Sequence, residues 1–138
     1  MRVGDFAVEI VPSDGGRVRE LESGHVLARA GQVYRLRLRN SSPLYCVVEV
    51  DVDGERVTAG GLVIAPCSVT ELERPIDAGE RGRFTVVAEG DEAVFGPDGG
   101  RDNPALGLIE ARFRRELPRD PRSDKPIEWF GVSEVFCP

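Results

Sequence analysis

The sequence predicts an all-β protein, a single antiparallel β-sandwich with about seven to nine strands, immunoglobulin-like or jelly-roll-like in connectivity. Three observations predict this fold class. Apolar and polar residues alternate with a period of two in several segments, as they do in half-buried strands. Turn-forming residues recur about every 8 to 12 residues, which is typical of sandwiches and barrels. No segment of helical length carries the apolar period of an amphipathic helix.

The clearest alternation lies in the stretch from Gln32 to Thr58. Its first half places arginines opposite apolar residues, and its second half, after an Asn-Ser-Ser-Pro turn, places acidic residues opposite valines. One charged and one apolar face are typical of antiparallel strands with water on one side, so a second layer must cover the apolar side. We expect the arginines to face the acidic residues of the next strand. The two groups are Arg35, Arg37 and Arg39, and Glu49 and Asp51.

A hairpin is predicted at Asp53-Gly54, because a type I′ turn needs positive φ at both central positions and Asp-Gly meets that need. The third strand, residues 55–58, should return antiparallel. Further strands are predicted at 6–11, 25–30, 69–73, 83–89 and 108–115, residues 62–64 are an apolar run stopped by Pro66, and residues 17–22 form either a short strand or a polar connection. We expect residues 1–116 to form the sandwich domain, and residues 117–138 to form a proline-rich linker and an aromatic C-terminal segment.

Composition narrows the classes of function. The chain has 138 residues and a net charge of −6, from 24 acidic and 18 basic groups, so it lacks the basic footprint of a nucleic-acid binder. No apolar window approaches the roughly 18 residues of a membrane span, and acidic residues interrupt the first apolar stretch, which spoils it as a signal peptide. We therefore expect no nucleic-acid or membrane partner. Cytoplasmic residence is the default expectation, with a virion or release by lysis as the alternatives.

Four segments together resemble a family of small uncharacterised β-sandwich proteins of bacteria, phages and large DNA viruses. They are YRLRLRN at 34–40, VEVDVDGERV at 48–57, the apolar run at 62–66 and NPALGLIEARFRRE at 103–116. The resemblance covers roughly residues 32 to 116 and implies a sandwich fold. It brings no catalytic residue with it.

Residues suited to catalysis or to transition metals are sparse. His25 is the single histidine, and nucleophile-elbow, Walker, Rossmann and HExxH motifs are absent. The three cysteines have no paired ligand spacing, so we expect no metal and no cofactor. We expect Cys46 and Cys67 to behave as small buried hydrophobic residues, and His25 to lie at the surface.

Two segments are the candidates for binding. The loop 90–107 offers oxygen ligands for calcium at Asp98, Asp102 and Asn103, without the EF-hand pattern. The tail offers interface anchors at Trp129, Phe130 and Phe136.

These segments favour a non-enzymatic interaction or structural module that binds a protein partner or self-associates, including as a homo-oligomer. The alternative is a ligand-binding domain, for carbohydrate or calcium, that uses the loop. An enzyme without a recognisable motif is the less favoured third reading.

Overall fold

The computed structural model describes residues 1–76, 83–86 and 107–117, together with the backbone of 129–136. These residues contain no helix, and all their strand pairs are antiparallel, which confirms the predicted all-β class. They form eleven strands where about seven to nine were expected, and four of the eleven have only two residues. The strands are β1 Arg2–Val3, β2 Phe6–Pro12, β3 Arg19–Glu20, β4 Val26–Leu27, β5 Tyr34–Asn40, β6 Cys46–Val52, β7 Glu55–Arg56, β8 Leu62–Ile64, β9 Ser68–Leu72, β10 Ile109–Glu116 and β11 Trp129–Phe136.

The strands form two larger sheets and one ribbon. One sheet has the order β1-β2-β5-β9, and the other has the order β11-β10-β6-β7, with β8 paired to the same edge of β6 as β7. The ribbon consists of β3 and β4. The chain changes sheets between β5 and β6, between β8 and β9, and between β9 and β10. Some consecutive strands therefore pair with each other, such as β1 with β2 and β10 with β11, whereas others, such as β5 and β6, lie in different sheets.

One hydrophobic cluster contains the inward residues of both sheets. Leu36 and Leu38 on β5 are 0% exposed, as are Val48 on β6 and Phe113 on β10. The rings of Phe6 and Phe113 stack with centroids 4.9 Å apart, which joins β2 of one sheet to β10 of the other. Full burial of side chains of this size contributes about 1.5–3 kcal/mol each. The period-two alternation in the sequence therefore identified the core-facing side of β2, β5, β6 and β10.

The predicted hairpin is confirmed. Asp53 and Gly54 have φ of 54° and 84°, as a type I′ turn requires. The returning strand is shorter than predicted, because β7 ends at Arg56. Beyond it, the N–H of Val50 donates to the Oγ1 of the buried Thr58 at 3.1 Å, so a side-chain hydroxyl takes the place of a strand partner.

The crossing from β5 to β6 is held by a buried asparagine. The Nδ2 of Asn40, which is 0% exposed, donates to the carbonyl oxygens of Leu44, Ile64 and Ala65 at 2.8, 3.2 and 3.1 Å. Its Oδ1 accepts from the N–H and the hydroxyl of Ser42 at 3.0 and 2.7 Å. The side chain thus satisfies backbone groups of the connection and of the end of β8, which fixes the turn away from β5.

The pairing predicted for the β5 arginines is wrong, because β6 lies in the other sheet. Arg37 instead lies between β2 and β9, with its Nη2 at 3.0 Å from Glu71 and its Nη1 at 3.7 Å from Glu9. Arg35 reaches Glu71 at 3.2 Å. Arg35 and Arg37 do face acidic neighbours, but these neighbours come from strands distant in sequence.

The prediction for the cysteines is half confirmed. Cys46 is buried, and burial raises the pKa of its thiol to about 11, although a hydrogen bond with the backbone of Ile64 lowers it somewhat. Cys67 is exposed, which contradicts the prediction. It occupies the turn between β8 and β9 with φ of 51°, and its N–H donates to the carbonyl of Ser42 at 3.1 Å. A left-handed turn at the corner between two sheets leaves its side chain in solvent.

Candidate interaction surface

The one histidine lies at the surface, as predicted. His25 is exposed beside the β3–β4 ribbon, and its Nδ1 lies 2.9 Å from the hydroxyl of Ser23. Within the described ranges, no group of three or more His, Cys, Asp and Glu side chains is arranged to hold a metal ion. The calcium candidates Asp98, Asp102 and Asn103, and the rest of the loop before Gly107, lie outside the described residues.

A shallow depression of about 430 Å³ lies beside Ser13, Asp14, Gln32 and Arg83. The carboxylate of Asp14 is engaged in the local turn, where its Oδ1 accepts from the N–H of Gly16 at 2.8 Å. Among these residues, no described contact joins a nucleophile to a base, which nucleophilic catalysis would need.

The outer face of the five-stranded sheet carries a network of ion pairs. The carboxylate of Asp51 accepts from Arg56 and, at 2.8 Å, from Arg112, and Glu49 accepts from Arg114 at 3.2 Å. Arg112 also pairs with Glu110. Three acidic and three basic side chains thus neutralise one another across β7, β6 and β10.

The network shifts the pKa of two of its members, Asp51 and Arg56. Partial burial raises the pKa of Asp51, but the hydrogen bonds from Arg56 and Arg112 and their charges outweigh that effect and leave the pKa below its usual range. The same contact with Asp51 raises the pKa of Arg56. Both shifts hold these groups in their charged forms at neutral pH. Alternation along 108–115 predicted that Arg112 and Arg114 face outward. The pairing of these arginines with Asp51 and Glu49 was not predicted from the sequence.

The other end of the same face is apolar. Val63 on β8 is 59% exposed and Tyr45, just before β6, is 47% exposed. Val47 lies opposite Val63 in register. The backbone of Gly61, with φ of 130°, packs closely against Val47. A Cβ atom added at Gly61 would lie only 2.9 Å from the Cγ2 of Val47. Tyr45 and Glu116 exchange hydrogen bonds at 3.0 Å, which extends the pairing of β6 with β10.

The aromatic tail forms the edge strand β11 of this sheet. It pairs with β10 over eight residues, from Ile109 opposite Phe136 to Glu116 opposite Trp129. Phe130 lies opposite Arg115 in the same register. The structure thus gives the backbone position of all three predicted interface residues, and their side chains lie outside what it describes. In the part of the chain that the structure describes, β11 pairs with β10 alone, while β1 of the other sheet lies beside it.

The edges of the two sheets differ in how they are protected. β1 and β7 have two residues each and β8 has three, and short edge strands offer little to an incoming chain. β9 has five residues and lies between Pro66 and Pro75. β11 has eight residues, no proline and a single charged residue, Glu134. β11 is therefore the longest edge strand among the described strands, and it lacks the prolines that flank β9.

No helix in the described ranges is long and apolar enough to cross a membrane. Comparison of the chain with protein-family models, with curated proteins and with solved structures gave no match in any of the three.

Proposed function

We propose that the chain is a non-enzymatic interaction module, a single immunoglobulin-like β-sandwich that binds another protein chain by strand addition at β11. The observation that carries this proposal is the edge itself, eight residues of backbone that pair on one side only within the described part of the chain. Edges of this kind are templates for another extended segment.

The strand order supports the immunoglobulin-like form over a jelly roll. In immunoglobulin domains one sheet holds strands A, B and E and the other holds G, F and C, with C′ added at the edge in some domains. Here β2-β5-β9 and β11-β10-β6-β7 follow that order when β2 is taken as A and β11 as G. The single hydrophobic cluster, with Phe6 stacked on Phe113 between the sheets, supports packing of the two sheets face to face.

The energetics of an open edge favour pairing. About every second residue of an antiparallel edge strand directs its N–H and C=O away from the sheet. Each hydrogen bond made to an incoming strand contributes a net of about 0.5–1.5 kcal/mol. Four or so outward-directed residues in β11 therefore supply a useful share of the free energy of binding, and side chains of the partner supply specificity.

The charged groups support binding at an edge over binding at a face. On the outer face of the five-stranded sheet, arginines and carboxylates are already paired with each other. On the outer face of the other sheet, Arg35 and Arg37 are paired with Glu9 and Glu71. A partner that docked on the charged part of either face would have to displace these pairs or leave them in place without new contacts.

Hydrogen exchange followed residue by residue by NMR on a dilute sample of the full chain tests the proposal. We expect slow and fast amides to alternate along β11, because half donate to β10 and half face outward, whereas the amides of β10 exchange slowly throughout. Uniform protection of all β11 amides in a monomer would mean that the chain covers its own edge. That result would overturn the proposed function.

A further inference from the structure

We infer that the shallow depression beside Ser13, Asp14, Gln32 and Arg83 binds a small zwitterion, a molecule such as an amino acid that carries both an ammonium and a carboxylate group. Asp14 receives the ammonium group, and Arg83 receives the carboxylate. The described residues of the lining follow β2, precede β5 or lie in 83–86, and none of them belongs to β11 or to its sheet. The inference therefore goes beyond strand addition at β11 and does not depend on it.

Hydrogen-bonded backbone forms the frame of the depression. The N–H of Ser13 donates to the carbonyl of Val33 at 2.9 Å, which joins the end of β2 to the start of β5. The N–H of Val86 donates to the carbonyl of Gln32 at 2.8 Å, which brings the segment 83–86 alongside the same stretch. These contacts occupy backbone groups of the lining with one another. Side chains therefore supply most of the polar groups that a ligand meets.

Two opposite charges border the depression without pairing with each other. Asp14 and Arg83 both line it, yet no ion pair between them occurs in the described part of the chain. One oxygen of Asp14 accepts from the N–H of Gly16, and the described residues give this carboxylate no cationic partner. Arg83 pairs with Glu73 at 3.7 Å, and the two side chains are 53% and 42% exposed. A contact this long between exposed groups is weak, so both charges are available to a ligand.

The two charges limit the chemistry of the ligand. Arg83 attracts a simple anion that Asp14 repels, and a simple cation meets the reverse. A molecule with both charges gains from each side chain, because the guanidinium donors match a carboxylate and the carboxylate of Asp14 accepts from an ammonium group. The depression has a volume of about 430 Å³, within the range of about 300–1,000 Å³ that is typical of small-molecule sites. An amino acid fits this space and this pattern of charge.

NMR titration of the full chain with γ-aminobutyrate tests the inference, with glycine and β-alanine as zwitterions of shorter reach. We expect at least one of the three to shift amides in 13–16, 31–33 and 83–86, with a dissociation constant of about 1–10 mM, since exposed charges bind weakly. Acetate and methylammonium carry one charge each and should shift the same amides less at equal concentration. Equal shifts from the zwitterions and the single charges, or no shift from any zwitterion, would overturn the inference.

Substitution of each charge gives opposite outcomes for the single-charge probes. Asp14→Ser keeps a side-chain oxygen for the N–H of Gly16 and removes the negative charge. It should weaken binding of the zwitterion about two- to fivefold and strengthen binding of acetate. Arg83→Gln should weaken the zwitterion by a similar factor and strengthen methylammonium. Variants that affect all probes equally, or none of them, would overturn the roles assigned to Asp14 and Arg83.

Glu73→Gln provides the matched control outside the lining. It removes the described ion-pair partner of Arg83, while the backbone carbonyl of residue 73 still accepts from the N–H of Phe84. Binding of both the zwitterion and acetate should tighten up to about twofold, because Arg83 no longer exchanges one carboxylate for another. Unchanged or weaker binding in this variant would overturn the assignment of the carboxylate to Arg83. The amide spectrum recorded in each titration also shows that the variant is folded.

Discussion

The two larger sheets distribute charge in opposite ways. In the four-stranded sheet the central strand β5 carries outward arginines, and the acidic partners lie on β2 and β9. In the five-stranded sheet the central strand β6 carries outward carboxylates, and the arginines lie on β7 and β10. β5 and β6 follow one another in sequence and have complementary charges, yet they do not pair. Charge complementarity between consecutive strands therefore does not determine which strands become neighbours.

The magnitudes of the interactions explain this outcome. An exposed ion pair contributes about 0.2–1 kcal/mol, so the few pairs that β5 and β6 would make together cannot decide the topology. Asn40, the last residue of β5, is fully buried, shares its two side-chain N–H groups among three carbonyl oxygens and accepts two hydrogen bonds from Ser42. Leaving even one of those buried backbone groups without a partner costs about 1–3 kcal/mol. The crossing is thus specified by its polar network, and each sheet then finds its charge partners across long separations in sequence.

The largest expected effect comes from removing that network. Asn40→Ala removes the side-chain donor from the carbonyls of Ile64 and Ala65 and the acceptor from the N–H of Ser42, while the carbonyl of Leu44 keeps the hydroxyl of Ser42 as a donor. The substitution also opens a small cavity. We expect the free energy of unfolding to fall by about 2–4 kcal/mol, measured by urea denaturation.

The matched control is Ser41→Ala at the neighbouring exposed position, where only the backbone N–H is engaged, with Asp5. It should change the free energy of unfolding by no more than about 0.5 kcal/mol. Equal effects of the two substitutions would show that the crossing does not depend on the asparagine, and the contrast between the sheets would need another cause.

The strands themselves were predictable from local pattern. Alternation in 6–11, 33–39 and 108–115 identified β2, β5 and β10 and their buried sides, because a period of two is a property of each strand taken alone. The pairing was not predictable in this way. Asn40 looks like an ordinary turn residue in the sequence, and its acceptors in β8 and beyond lie 24 and 25 residues away. Nothing local distinguishes a loop within a sheet from a crossing between sheets.

For the candidate site, too, the local character of the segment was predictable from the sequence and its pairing was not. The aromatic composition of the tail indicated an interface, since Trp129, Phe130 and Phe136 stand close together in the sequence. That the tail is an edge strand on β10 could not be derived, because nothing in its own sequence specifies which strand it pairs with. The exposure of Cys67 was missed for a related reason. Cys67 adopts a left-handed backbone conformation in a turn. A glycine at that position would have indicated such a turn in the sequence, but a cysteine does not.

The next effect concerns the buried start of β5. Burial, and to a smaller extent the charge of Asp53, raise the pKa of Tyr34 to about 12 from its ordinary value of 10.0. A raised pKa means that folding favours the neutral phenol. Its contribution to stability is therefore present below pH 10 and is lost as the pH rises toward 12. We expect a loss on the order of 2 kcal/mol across that window.

The comparison with Tyr34→Phe isolates this loss, because the buried thiol of Cys46 titrates in both proteins and cancels. The variant should lose less stability than the native chain between pH 10 and pH 12, and the absorbance of native tyrosinate should report one late-titrating tyrosine. If Tyr34 ionises near 10 while the chain stays folded, the ring is wetter than its 8% exposure and its stacking on Phe84 indicate.

The smallest effect compares the two charged faces directly. Asp51 lies on β6 with 20% of its side chain exposed, and Glu71 lies on β9 with 34% exposed. Each accepts hydrogen bonds from arginine, but the more exposed pair is more strongly screened by water. We expect Asp51→Asn to reduce the free energy of unfolding by about 0.5–1 kcal/mol at pH 7, and Glu71→Gln to reduce it by less.

The pH dependence of this effect has a definite sign. The pKa of Asp51 is depressed in the folded chain, so its contribution to stability is present above the ordinary value of 3.8 and disappears as the pH falls through the folded value. The difference between the native chain and Asp51→Asn in urea denaturation should therefore shrink from pH 7 to pH 3. A difference that stays constant with pH would mean that Asp51 acts through packing and not through charge. A larger cost for Glu71→Gln than for Asp51→Asn would mean that the arginines of β5, rather than the carboxylates of β6, belong to the more strongly coupled face.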